Sequence, residues 1–101
     1  FSTIASTPSA PRNASAIAGG GQATVSWTAP ASNGGSPVTG YVVTPYVGFF
    51  PLAPVTFGST ATSQTIVGLV SGTQYRFRVR AVNAIGTGGF STASNPVVPT
   101  D

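Results

Sequence analysis

Residues 74–83 read Gln-Tyr-Arg-Phe-Arg-Val-Arg-Ala-Val-Asn. Successive side chains of an extended backbone point to opposite faces, so Tyr75, Phe77, Val79 and Ala81 share one side while Arg76, Arg78 and Arg80 share the other. Such a segment is a strand with one dry face and one wet face, and the dry face demands a second layer to cover it. Just upstream, Leu69-Val70-Ser71-Gly72-Thr73-Gln74-Tyr75 places an apolar residue, a Gly turn and an aromatic strand start in succession, the pattern of a corner between two packed sheets.

The rest of the chain supplies partners for that strand. Residues 22–28 alternate cleanly, with Ala23, Val25 and Trp27 on one face and Thr24, Ser26 and Thr28 on the other, and Trp27 is the largest candidate core side chain. In residues 41–46, Tyr41 and Val43 are expected inward and Val42, Thr44 and Tyr46 outward, with Pro45 distorting the end because it has no N–H to donate. Residues 54–57 and 63–67 read as short strands around the 58–62 turn, with Ile66 and Leu69 pointing inward. Residues 11–17 read as an edge strand whose Pro11 faces its missing N–H to solvent, ended by Gly19-Gly20-Gly21. Residues 29–40 and 84–91 are loops rich in Gly, Pro and Asn, and residues 92–98 give the last strand. About seven short strands and no helical periodicity favour two packed antiparallel sheets over a barrel.

A chain of 101 residues has the length of one domain, expected to bury ~65% of the surface of its unfolded form. There is no cysteine, so disulfides and thiolate metal sites are excluded. Pro45, Pro51 and Pro54 interrupt the longest apolar stretches, which fall short of a membrane span and imply a soluble domain. General acid–base catalysis needs a group that titrates near the working pH, and nucleophilic catalysis needs a base beside the nucleophile. With no His, Cys, Lys or Glu, and Asp101 as the single acid, neither is available, and we expect no enzyme activity, no cofactor and no metal. The glycine runs near Gly19 and Gly86 lack the following helix and lysine of a phosphate cradle. The net charge of +3 rests on Arg12, Arg76, Arg78 and Arg80, too thin a footprint for nucleic acid. Asn13-Ala14-Ser15 matches the short N-glycosylation pattern.

Across residues 9–99 the chain resembles the fibronectin type III domain. The resemblance is carried by Pro11, by Val25-Ser26-Trp27-Thr28-Ala29-Pro30, by Gly40-Tyr41-Val42-Val43, and by Leu69 followed by the unbroken run from Gly72 to Asn83, with Gly86 and Ser91 completing the pattern. It implies an immunoglobulin-like, seven-strand antiparallel β-sandwich in which Trp27 and Tyr75 mark the core. It also implies a tyrosine corner, the Tyr75 hydroxyl bonding backbone upstream. Phe77, two residues on, fits a disulfide-free version. Gln64 departs from the aromatic or aliphatic residue common at its place, and no Arg-Gly-Asp triplet supports integrin binding. In animals such domains resemble adhesion and receptor modules; in bacteria, spacers of secreted polysaccharide-degrading enzymes, cell-surface proteins and phage virion proteins.

Residues 1–10 are expected to be a loosely held linker, residues 11–99 the domain, and residues 100–101 the start of the next connector. The Ala/Gly/Thr-rich, lysine-free composition leans towards a secreted bacterial protein, and a chain opening on Phe1 is expected to be a segment of something larger. The expected role is a noncatalytic extracellular spacer or interaction module, its partners being neighbouring domains. The competing role is ligand binding, to polysaccharide or an acidic protein surface, or a place on a phage virion. Two surfaces serve that alternative. One is the Arg76, Arg78 and Arg80 face with Tyr46 and Thr44, suited to gripping carboxylates or stacking on sugars, although outward charges often only solvate a sheet. The other is Phe49-Phe50-Pro51-Leu52, extended by Phe90, whose simpler reading is folding back onto a sheet edge. Tyr41, Leu69, Phe77 and Val79 join Trp27 and Tyr75 as expected core.

Overall fold

The alternating segments form strands in a computed structural model that describes residues 5–100. In chain order these are β1 (Arg12–Gly19), β2 (Gln22–Thr28), β3 (Gly40–Val47), β4 (Phe50–Pro51), β5 (Val55–Phe57), β6 (Ser63–Ile66) and β7 (Arg76–Val82). All pairings between strands are antiparallel, and no helix occurs among the described residues. One sheet runs β1-β2-β6; in the other, β3 is central, with β7 on one side and both β4 and β5 on the opposite side. The two sheets make a β-sandwich, as the alternation requires when each sheet has one apolar face to cover.

The covered faces carry the core: Ala23, Val25 and Trp27 from β2, Tyr41 and Val43 from β3, Ile66 from β6, and Phe77, Val79 and Ala81 from β7, together with Tyr75. Leu69 is half-buried and packs against this cluster. Trp27 meets Tyr41 edge-on at 5.0 Å between ring centroids, a geometry favoured by the aromatic quadrupole. Its Nε1 is buried without a hydrogen-bond partner among the described residues, a desolvation cost that the burial of the large ring outweighs. The Tyr75 hydroxyl accepts the Val70 N–H at 3.0 Å, closing the corner that leads into β7.

Several local expectations change. Pro45 does not distort β3: its pairing with Phe77 lies inside an unbroken register from Gly40↔Val82 to Tyr46↔Arg76. The Pro45 carbonyl accepts from Leu52 N–H, so the proline's nitrogen faces the β4 and β5 side and the ladder to β7 loses nothing. Thr44, expected outward and available, is buried; it sits directly opposite Arg78, whose long stem shares that face. Pro11 is buried and precedes the first strand rather than sitting in it. Residues 47–53, expected as a connection, form a hairpin in which Tyr46 pairs with Pro51 and Val47 with Phe50.

The last strand expected over residues 92–98 is not a regular strand. Ser91 N–H donates to Val79 carbonyl and Ser94 N–H to Phe77 carbonyl, but the return bonds from Val79 and Phe77 N–H end on the Ser91 and Ser94 hydroxyls, at 2.9 and 3.0 Å. Those hydroxyls donate in turn to the carbonyls of Thr92 and Asn95. Val97 exchanges both backbone bonds with Tyr75. Contacts at 91, 94 and 97 against 79, 77 and 75 mean that the edge spends three residues for every two of β7. A ladder with regular alternation cannot hold such a mismatch, and serine side chains take the place of the missing carbonyls.

Two substitutions test this packing. Trp27→Ala should lower unfolding stability by about 3–5 kcal/mol through the cavity it opens, and Tyr75→Phe by about 1–3 kcal/mol through loss of the acceptor for Val70 N–H. Denaturant melts that superimpose on the parent would reject both assignments.

Candidate functional site

The outward face of β7 presents Arg76 and Arg78 to solvent and Arg80 half-buried. Each is held differently. Arg80 donates from Nε to the Gly88 carbonyl at 2.7 Å, and its guanidinium carbon lies 4.5 Å from the centre of the Phe90 ring. Arg78 sits over the Tyr46 ring at 5.6 Å. Cation–π contacts of this kind, with the hydrogen bond at Arg80, restrict where the two guanidinium groups lie. Arg76 has no hydrogen bond or ring contact among the described residues. There is also no Asp or Glu between residues 5 and 100, so no carboxylate within that span can neutralise the row.

At the Arg76 end stands the hairpin joining β3 to β4. Val47 pairs with Phe50 across a two-residue loop, and Gly48 there has φ 63°. A positive φ at the first loop position and not at the second, Phe49, is the signature of a type II′ turn, which favours glycine and matches strand twist. The turn lifts Phe49 wholly into solvent, at 102% relative exposure. Between this tip and the arginines lies an open depression of about 250 Å³, lined by Tyr46, Gly48, Phe49, Arg76, Arg78 and Ala93. A second, of about 230 Å³, lies between Gly48, Phe49, Gln74 and Arg76.

The residues expected to form two surfaces are therefore regrouped. Arg76, Arg78, Tyr46 and Phe49 are brought together, and Arg80 and Phe90 continue the row. Phe50 and Leu52 are exposed at 72% and 37% but line neither depression. Directly paired residues share a face, so Pro51, opposite Tyr46, lies on the arginine side, and its neighbours alternate to the other. Gly48, Gln74 and Ala93 were not foreseen; the Gly-Phe dipeptide between two apolar residues is the signal that would have located the turn.

The family model for the fibronectin type III domain matches residues 9–97. The chain belongs to the fibronectin type III family. It is similar over 97% of its length to a crystal structure of domains A168–A170 from titin, with 30% identity and a TM-score of 0.85, and spans 34% of that protein. It is similar over 95% of its length to the twitchin kinase region from C. elegans, with 32% identity and a TM-score of 0.84, and spans 17% of it. The chicken CNTN1 FN1–FN3 domains share the fold at 20% identity, with a TM-score of 0.79 over 92% of this chain and 33% of that one. Fibronectin type III domains are typically noncatalytic modules of multidomain proteins and are often extracellular. Among the described residues no helix is long and apolar enough to cross a membrane.

A second feature of this fibronectin type III domain was not legible beforehand. The segment expected as a loose linker over residues 1–10 lies partly outside the described residues, at positions 1–4, but from Ala5 onward it is clasped between two loops. Ser6 N–H donates to Gly34 carbonyl and Ser9 N–H to Ser32 carbonyl, while Ser32 N–H returns a bond to the Ser9 hydroxyl. Asn83 is 4% exposed; its Nδ2 donates to the carbonyls of Ser6 and Asn33 and its Oδ1 accepts from Ile85 and Gly86 N–H. A Cβ on Gly34 would strike the Ser6 and Thr7 carbonyls, and one on Gly88 the Pro8 carbonyl, so both glycines are needed for the close approach. Polar Ser/Thr/Pro composition had suggested a free connector; its backbone groups are instead satisfied by the loops.

Asn83→Ala should cost about 2–3 kcal/mol, because it strands buried donors and acceptors. It should also raise amide exchange at Ser6 and Ser9 relative to core amides of β7. Unchanged protection at both serines would mean that the clasp does not depend on Asn83.

Proposed function

We propose that this fibronectin type III domain is a noncatalytic spacer and interaction module of a larger extracellular protein, a bacterial secreted or surface protein such as one that degrades polysaccharide. The observation that carries the reading is the route of the chain. Residues 5–9 lie against loops 32–35 and 83–88, at the end where β2 and β7 finish. Residues 99 and 100 lie against Gly72, Gly19 and Gly21, at the end where those strands begin. A chain that enters at one end of a sandwich and leaves at the other strings domains in line, and hydrogen bonds at both ends stiffen the joints. The chain's inventory agrees: no His, Cys, Lys or Glu supplies a base, nucleophile or ligand, and the lysine-free, Ala/Gly/Thr-rich composition suits secretion.

Two copies joined head to tail through their own ends should give a small-angle scattering profile whose maximum dimension is nearly twice that of one copy. A compact particle with the copies side by side would overturn the spacer reading. The purified chain should show no turnover of glycan or ester substrates and no retention on insoluble polysaccharides. Measurable hydrolysis would reject the noncatalytic assignment.

A further inference from the structure

The arginine face has a regular geometry that the spacer role leaves unused. Arg76, Arg78 and Arg80 occupy alternate positions of one strand, so their stems leave the backbone about 7 Å apart. At that spacing two like charges in water repel only weakly, and the row is tolerated without internal acids. Two of the three guanidinium groups are already oriented, Arg78 by the Tyr46 ring and Arg80 by the Phe90 ring and the Gly88 carbonyl. Ordering long side chains is a large part of what binding costs, and here that ordering is built into the free domain. At the Arg76 end the row opens into the depression beside the fully exposed Phe49.

The geometry points to a docking site for an extended acidic peptide of a partner protein, with carboxylates at alternate positions facing Arg76, Arg78 and Arg80 and an apolar side chain seated between Phe49 and Tyr46. This inference rests on the interaction half of the reading above. An extended peptide repeats its side chains on one face with the same ~7 Å period as β7, so its carboxylates fall in register with the arginines one for one. A second copy of this domain does not fit as the partner, because its single acid, Asp101, cannot supply carboxylates at alternate positions. A sugar or nucleobase would require open aromatic faces for stacking. One face of Tyr46 and one of Phe90 are instead taken by guanidinium groups, which leaves Phe49 as the ring of the site that stands clear and turns the surface along the arginine row from stacking towards charge.

The test uses the 101-residue chain and a fluorescent peptide alternating glutamate and threonine, ending in leucine, against a peptide of the same composition with its glutamates contiguous. The alternating peptide should bind more tightly, and its affinity should fall as salt is raised from about 150 to about 500 mM. Arg76→Gln, Arg78→Gln and Arg80→Gln should each weaken it by about 3- to 5-fold and the triple variant by about 30-fold or more. Phe49→Ala should weaken it by about tenfold. Arg12→Gln, which removes the same charge from β1 in the other sheet, should leave the affinity within about twofold. Equal affinity for both peptides, equal loss with Arg12→Gln, or tighter binding to a polyuronate, an oligonucleotide or anionic vesicles would overturn the proposal. None of these outcomes bears on the scattering of the tandem copies, so failure here leaves the spacer reading to its own test.

Discussion

Burial of the apolar side of β7 against the β1-β2-β6 sheet is the contact on which the rest of the domain depends. Phe77, Val79 and Ala81 are fully buried there, and each fully buried side chain of the larger kind contributes about 1.5–3 kcal/mol. Because side chains alternate, sealing that side forces Arg76, Arg78 and Arg80 to the opposite face in a straight row. Core and candidate surface are thus one constraint seen from two sides. A slip of one residue in the β3–β7 register would bury the arginines without partners, at a cost far beyond the domain's stability. The register runs unbroken over seven paired residues for that reason.

The edge beside β7 shows a different economy. An exposed regular edge strand invites pairing with other chains. Here the edge advances three residues for every two of β7, and Ser91 and Ser94 hydroxyls satisfy the Phe77 and Val79 amides that such an edge would strand. The buried amides stay bonded while the outer side of the edge loses the repeat that another strand would need. The same polar thrift recurs at the clasp, where one buried Asn83 side chain ties the incoming segment to two loops.

Where sequence reading succeeded and failed follows the range of the interactions involved. Strands β2, β3 and β7 were legible because alternation is local and their burial faces demand it. The tyrosine corner at Tyr75 was expected from the family resemblance, and its partner proves to be Val70, five residues upstream. The irregular edge was not, since the need for serine at 91 and 94 arises only when those residues lie beside β7. Thr44 was misjudged only in its exposure: alternation sets it on the arginine face, and only the chain opposite determines that it is covered there. The split of Phe49 from Phe50 and Leu52 depends on the turn at Gly48, which a reader attending to hydrophobicity alone passes over.

The order and kinds of residues alone decided that this chain makes two packed antiparallel sheets, that Arg76, Arg78 and Arg80 share a face, and that no His, Cys, Lys or Glu is present. These follow from backbone geometry and composition, which need no knowledge of distant neighbours. Tertiary structure decided which rings lie under which guanidinium groups, that residues 5–9 are clasped rather than free, and that Phe49 stands clear beside the arginine row. Those outcomes require residues up to 77 positions apart to meet, and such meetings exist only once the sheets have closed.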